Sequence, residues 1–119
     1  MSTILVLDDV EDAAVLISRI LRRKGHTVYF FMDEDEALSF AKTQPLDLAI
    51  LDMKLRKMDG IEVLAELKRI QPSIKAIMLT GYPTSQTAHR SQKEGAAAYC
   101  VKPLDKDELE QTVAAVLGS

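Results

Sequence analysis

The clearest indication of the fold class comes from residues 46–52, which read Leu46-Asp47-Leu48-Ala49-Ile50-Leu51-Asp52. Apart from Asp47, this run is apolar up to Leu51, and residues 74–79 form a second run that is apolar apart from Lys75 and ends before Thr80. Nearly continuous apolar runs are typical of parallel strands that helices cover on both faces, whereas a strand with one solvated face alternates. We therefore predict two fully buried strands, at 46–51 and 74–79.

The rest of the chain alternates between short apolar runs and segments with helical periodicity. Further strands are predicted at 4–7, 27–31 and 97–101. Helices are predicted at 10–24, 61–71, 83–94 and 105–117, and another is capped by Asp33 and runs through Ala41. Five strands that alternate with five helices imply right-handed crossovers and a parallel sheet with helices on both faces. The predicted fold class is a single doubly wound α/β domain.

The composition excludes several classes of protein. The chain has 119 residues, with 15 Lys and Arg against 18 Asp and Glu, so its formal net charge is −3. The single cysteine, Cys100, rules out a disulfide framework, and no apolar run approaches the ~18 residues of a membrane span. The mild acidity argues against nucleic acid as the main ligand. The N-terminus lacks a basic region and soon reaches two aspartates, so we expect no signal peptide and a cytoplasmic protein.

Charged and hydroxyl side chains follow the predicted strands. Asp8 and Asp9 come after the first strand, Asp52 after the third, Thr80 after the fourth and Lys102 after the fifth. Ligands of open parallel sheets bind outside the carboxyl ends of the strands, so we expect these side chains to meet at one edge. Asp9 has a second interpretation, as a simple cap of the first helix.

This set of side chains favours phosphoryl chemistry. Three carboxylates in one place raise one another's pKa unless a cation lies between them. Lys102 supplies one positive charge, and Mg²⁺ suits the rest because it prefers hard oxygen ligands and shares its coordination sphere with phosphate. A carboxylate that faces Mg²⁺ and an ammonium is ionised and can attack phosphorus. The cations would neutralise the transferring phosphoryl group, to which the Thr80 hydroxyl could donate.

Several short motifs together resemble the receiver domain of two-component response regulators. They are Leu5-Val6-Leu7-Asp8-Asp9, Ile50-Leu51-Asp52 with Met58-Asp59-Gly60, Leu79-Thr80-Gly81 and Val101-Lys102-Pro103. The resemblance spans residues 4–117 and implies a flavodoxin-like fold with the strand order 2-1-3-4-5. We accordingly expect residues 1–119 to form one receiver domain, with no effector domain in this chain.

The resemblance implies a role for each residue at the sheet edge. Asp52 matches the aspartate that accepts the phosphoryl group. Asp8 and Asp9 match the acid pair that binds Mg²⁺ (or Mn²⁺) together with Asp52 and the backbone carbonyl of Lys54. Lys102 matches the lysine that pairs with the phosphoryl group.

Further matches concern the switch and the lifetime of the phosphorylated state. Thr80 matches the switch hydroxyl, and Tyr99 matches the aromatic residue that swings inward when the hydroxyl moves. The peptide bond between Lys102 and Pro103 is expected to be cis. Lys54 and Tyr82 occupy positions that tune the rate of dephosphorylation.

The resemblance also implies partners. A histidine kinase or a histidine phosphotransfer protein would donate the phosphoryl group. The face formed by the fourth helix, the fifth strand and the fifth helix would contact a downstream protein or an effector domain. Neither nucleic acid nor a membrane is an expected direct partner, and the chain is expected to be a monomer that can dimerise on phosphorylation. It would catalyse only its own phosphoryl transfer and dephosphorylation.

Two segments depart from the family pattern. Arg56 stands where the family often has proline, which predicts a looser and more basic loop after Asp52. Residues 84–94 contain one clear apolar side chain, Ala88. Apolar burial stabilises by ~25 cal/mol per Å², so little apolar area predicts a weakly held fourth helix. We hypothesise that it is mobile or partly frayed before phosphorylation; the alternative is a polar but ordinary helix.

Three other functions fit parts of the pattern. A hydrolase with an aspartyl-phosphate intermediate, similar to haloacid-dehalogenase phosphatases, would place Asp-x-Asp after its first strand and would add a cap. A flavin carrier would need a phosphate-binding loop where this chain has Asp8-Asp9-Val10-Glu11. A phosphorylation-independent interaction module would normally have lost an acid or the lysine, and this chain has lost neither.

Overall fold

The computed structural model describes residues 2–118, in which five strands and five helices alternate. In chain order they are β1 (Thr3–Leu7), α1 (Glu11–Arg23), β2 (Thr27–Phe31), α2 (Glu34–Ala41), β3 (Leu48–Asp52), α3 (Gly60–Ile70), β4 (Lys75–Thr80), α4 (Ser85–Lys93), β5 (Ala98–Val101) and α5 (Lys106–Leu117). All strand pairs are parallel, and the sheet has the order β2-β1-β3-β4-β5. The predicted doubly wound fold and its strand order are confirmed.

The sheet separates two apolar cores. Successive side chains of a strand point to opposite faces, so Leu5 and Leu7 of β1 pack in one core and Ile4 and Val6 in the other. The first core includes side chains of α2 and α3, and the second includes side chains of α1 and α5. All of β3 and all but the first residue of β4 are buried, as predicted for these two strands.

The ends of the central strands differ from the predicted ones in a way that matters for the site. β3 and β4 each continue one residue further than predicted, to Asp52 and Thr80, because these residues still pair with Leu79 and Val101. β3 also begins later, at Leu48. The backbone N–H of Leu46 donates to the side chain of Gln71 at 2.8 Å. Two of the site residues are therefore held by the sheet itself.

Most helices begin at a side-chain cap. Asp33, Asp59, Thr84 and Asp105 each accept a hydrogen bond from the backbone three residues later. α1 differs: Val10 occupies its N-cap position, with no side-chain cap. The interpretation of Asp9 as the cap of this helix is therefore wrong.

α4 is the most polar of the helices and lies beside β5. It is shorter than predicted because Thr84 caps it, and its only fully buried residue is Ser91. None of the helices in the described part of the chain combines the length and the apolar character that crossing a membrane requires.

Candidate functional site

Three carboxylates meet at the carboxyl edge of the sheet. Asp8 and Asp9 follow β1, and Asp52 ends β3, the strand that pairs with β1. Each offers a carboxylate oxygen, and these oxygens all lie within 4.8 Å of one another. Asp8 and Asp52 are buried, whereas Asp9 is half-buried. The predicted acid cluster is therefore present, with its open side at Asp9.

Lys102 lies between two of these acids. Its Nζ is 2.8 Å from Oδ2 of Asp8 and 3.3 Å from Oδ1 of Asp52. Its backbone N–H donates to the carbonyl of Thr80 at 2.7 Å, which holds the residue beside β4. The peptide bond to Pro103 is cis, as the resemblance implies. The ion pair joins the two ends of the chain, since Asp8 and Lys102 are 94 residues apart.

The charges of this cluster are not balanced. Burial raises the pKa of Asp52 above its usual 3.8, and the charge of Asp8 raises it further, whereas Lys102 opposes both. Burial alone would lower the pKa of Lys102, but its hydrogen bond to Asp8 and the nearby carboxylates outweigh burial and raise it. Three carboxylates thus face one ammonium. A divalent cation with a preference for oxygen ligands fits this site, because it would balance the remaining charge.

A cleft of about 430 Å³ opens beside the acids. Thr80, at the end of β4, lines it and is 5% exposed. Its Oγ1 accepts a hydrogen bond from the backbone N–H of Tyr82 at 3.0 Å. The Tyr82 side chain is 75% exposed, and Nζ of Lys54 lies 4.9 Å from the centre of its ring. This cation–π contact places Lys54 and Tyr82 together at the cleft.

Tyr99 is tied to α4. The ring is half-buried on β5, and its hydroxyl lies 2.6 Å from Oγ1 of Thr87. Thr87 also takes part in the capping box that begins α4. The structure thus links Tyr99 to the start of this polar helix.

Sequence reasoning assigned no role at the cleft to Thr87 and Arg90, and it quoted Asp59 only as part of a family motif. Arg90 of α4 reaches Asp59, the cap of α3, with Nη2 at 3.3 Å from Oδ2. Thr87 stands three residues after Thr84, a spacing that could have indicated a capping box. No sequence signal indicates the pair of Arg90 and Asp59, because their contact depends on where the fold places α4 relative to the start of α3.

The loop after Asp52 is anchored to the start of α2. Nζ of Lys57 lies 3.0 Å from Asp33 and 2.8 Å from Asp35, both at the start of α2. The buried side chain of Glu34 accepts hydrogen bonds from the backbone of the same loop. The expectation of a looser loop stays a prediction, and these contacts with α2 show where the loop is anchored.

Comparison with known proteins agrees with this site. A sequence profile described as "Response regulator receiver domain" matches residues 4–114. "Transcriptional regulatory protein ZraR" of Klebsiella oxytoca is 36% identical over 97% of this chain, which spans 26% of that protein. The chain therefore spans about a quarter of that relative. "Sporulation initiation phosphotransferase F" of Bacillus subtilis is 32% identical, with 92% of this chain and 89% of the relative covered.

Solved structures show the same fold. A CheY-like receiver domain from Methanospirillum hungatei has a TM-score of 0.95 at 30% identity, with 99% of this chain and 94% of that one covered. A response regulator from Burkholderia pseudomallei, solved with a phosphorylated aspartic acid, calcium and citrate, has a TM-score of 0.88 at 33% identity. The two structures superpose over 98% of this chain and 66% of the Burkholderia chain. The sequence match, the fold and the acid cluster agree, and the chain belongs to the response regulator receiver domain family.

Proposed function

We propose that this chain is a phospho-accepting signalling switch, in which Asp52 takes a phosphoryl group from the phosphohistidine of a histidine kinase or a histidine phosphotransfer protein. The observation that carries the proposal is the position of Lys102, whose Nζ contacts both Asp8 and Asp52 within the acid cluster. Two relatives support it: one is named a phosphotransferase, and the other was solved with a phosphorylated aspartic acid.

Asp8, Asp9, Asp52 and the backbone carbonyl of Lys54 would hold Mg²⁺, or Mn²⁺ in its place. The metal would supply positive charge to the oxygens of the transferring group. An oxygen of Asp52 forms the bond to phosphorus while the bond from phosphorus to the donor's imidazole nitrogen breaks. Lys102 then offsets the charge of the phosphoryl group, since it already lies 3.3 Å from the carboxylate that is modified.

The signal would pass through Thr80 and Tyr99. The Thr80 hydroxyl would turn to the phosphoryl group and would lose the hydrogen bond that it accepts from the backbone N–H of Tyr82. Tyr99 would move inward and give up its contact with Thr87. These changes would alter the face of α4, β5 and α5, where a downstream protein, an effector domain or a second phosphorylated copy binds. We expect the switch to act in the cytoplasm as a monomer when unphosphorylated.

Dephosphorylation would be the chain's own reaction. Water attacks phosphorus and releases inorganic phosphate, so that the Asp52 carboxylate is restored. Lys54 and Tyr82 flank the cleft together, and we propose that this pair sets the access of that water and hence the lifetime of the phosphorylated state.

Mass spectrometry of the intact chain tests the proposal. We expect a small-molecule phosphodonor with Mg²⁺ to add one phosphoryl group to the unaltered chain and none to Asp52→Asn. Asp107→Asn, at an exposed position of α5, is the matched control and should be modified like the unaltered chain. Lack of modification in the unaltered chain, with no change around Thr80 and Tyr99 on addition of beryllofluoride, would overturn the proposal.

A further inference from the structure

The buried carboxylate of Glu34 has no place in the mechanism above. Glu34 is the first residue of α2 and is 1% exposed. Its Oε2 accepts hydrogen bonds from the backbone N–H groups of Lys57 and Met58, the second at 3.1 Å. Burying a carboxylate is costly unless hydrogen bonds compensate it. Here both donors belong to one loop, which runs from β3 to α3 and follows Asp52.

This loop is fixed at both of its ends. At the start, Met53 donates its backbone N–H to Leu79 at 2.8 Å and accepts from Gly60 at 2.8 Å. At the other end, Glu34 holds the backbone of residues 57 and 58. Lys54 lies between these two anchors, and its own side chain is exposed. The conformation of the backbone at Lys54 therefore depends on contacts made by its neighbours.

The two kinds of contact at Lys57 differ in strength. The ion pairs of Nζ with Asp33 and Asp35 are exposed, and exposed ion pairs contribute little. The hydrogen bonds to Glu34 are part-buried and reach a buried carboxylate, and a charged acceptor makes such bonds stronger. The buried carboxylate is thus the main anchor of this end of the loop.

We propose that Glu34 is a positioning residue for the divalent cation. By fixing residues 57 and 58, its carboxylate pre-organises the loop so that the backbone carbonyl of Lys54 is available to the metal beside Asp52. This inference rests on the proposed function. Without Glu34, the loop must be ordered when the metal binds, and that ordering lowers the affinity.

The test is a calorimetric titration with magnesium chloride alone, combined with amide hydrogen exchange of the metal-free protein. We expect Glu34→Ala to weaken Mg²⁺ binding about tenfold, the lower end of the range for residues that support metal ligands. Exchange at Lys57 and Met58 should become faster. Glu34→Gln retains one acceptor oxygen and should restore part of the affinity. Asp35→Ala removes only an exposed partner of Lys57 and should change the affinity less than twofold.

The outcomes separate this inference from the proposed function. If the unaltered chain binds no Mg²⁺, both are overturned. If it binds Mg²⁺ and Glu34→Ala binds equally well, only the role of Glu34 is overturned. The same follows if the affinity falls while exchange at residues 57 and 58 is unchanged. Should Glu34→Ala fail to fold, Glu34→Met, which fills the space but offers no acceptor oxygen, decides: weaker binding with faster loop exchange supports the role, and unchanged binding overturns it.

Discussion

Gly60 shows how closely α3 approaches Asp52, the residue that we propose accepts the phosphoryl group. A Cβ atom on this first residue of α3 would lie 2.2 Å from the backbone oxygen of Asp52 and 2.9 Å from Cε of Met78. The methionine end can move, but the backbone of β3 is held on both sides by β1 and β4. Only glycine, which has no Cβ atom, therefore lets α3 begin at this position.

We predict that Gly60→Ala destabilises the protein by about 1–3 kcal/mol, the usual cost of overpacking a buried position. The direction of this change is informative, because replacing glycine by alanine within a helix otherwise stabilises it by about 1 kcal/mol. Urea unfolding measures the difference. Gly81→Ala is the control, since a Cβ there has no atom within 4 Å. Unchanged or higher stability of Gly60→Ala would show that α3 can shift away from Asp52.

At the scale of elements, α4 and α3 are held by different forces. α3 buries five residues, whereas α4 buries only Ser91. In place of apolar area, α4 has polar contacts: Thr87 with Tyr99 at 2.6 Å and Arg90 with Asp59 at 3.3 Å. The contact of Thr87 with Tyr99 contributes about 0.5–1.5 kcal/mol, whereas the exposed ion pair of Arg90 with Asp59 contributes little. A rearrangement of Tyr99 would therefore break the stronger of these two contacts of the helix.

We predict that the amides of α4 exchange with solvent faster than those of α3 in the unphosphorylated protein, because local opening exposes little apolar surface. Hydrogen exchange followed by NMR measures this. Tyr99→Phe should accelerate exchange in α4 further, since it removes the bond to Thr87. Tyr29→Phe, in β2 at the far edge of the sheet, is the matched control. Equal protection of α3 and α4 would contradict the prediction.

At the scale of the whole molecule, folding brings charges together that are distant in the chain. Asp8, Asp52 and Lys102 come from three different strand ends, and the acids outnumber the lysine. The fold therefore holds like charges close to one another, and a bound cation should relieve that repulsion. Stability and metal binding are linked whenever the metal binds the folded state alone.

We predict that Mg²⁺ at a hundred times its dissociation constant stabilises the protein by about 2.7 kcal/mol, and that a chelator reverses the gain. Asp9→Asn should gain less from Mg²⁺ because it loses a ligand. Without metal it should be at least as stable as the unaltered chain, since one repelling charge is gone. Thermal unfolding with and without Mg²⁺ measures both effects, with Asp107→Asn as the control. Equal metal-dependent gains in the Asp9 and Asp107 variants would contradict the prediction.

Residues whose place follows from periodicity could be predicted from the sequence. The apolar runs predicted β3 and β4, and alternation with helices predicted a parallel sheet. Because parallel strands end at a common edge, the positions of Asp8, Asp52 and Lys102 after their strands predicted their meeting. The boundaries were less predictable, since Asp52 and Thr80 belong to their strands only through pairing with neighbours.

The sequence by itself therefore determined the fold class, the strand order through its family resemblance, and the cluster of acids with its lysine. Only the tertiary structure decided the contacts around that cluster. They are the hydrogen bonds of Glu34 with the loop backbone, the ion pair of Arg90 with Asp59, and the hydrogen bond between Thr87 and Tyr99. The physical reason is the range of the interactions. Periodicity and strand ends are local or follow from topology, whereas these bonds depend on how one helix sits against another element, which no local pattern encodes.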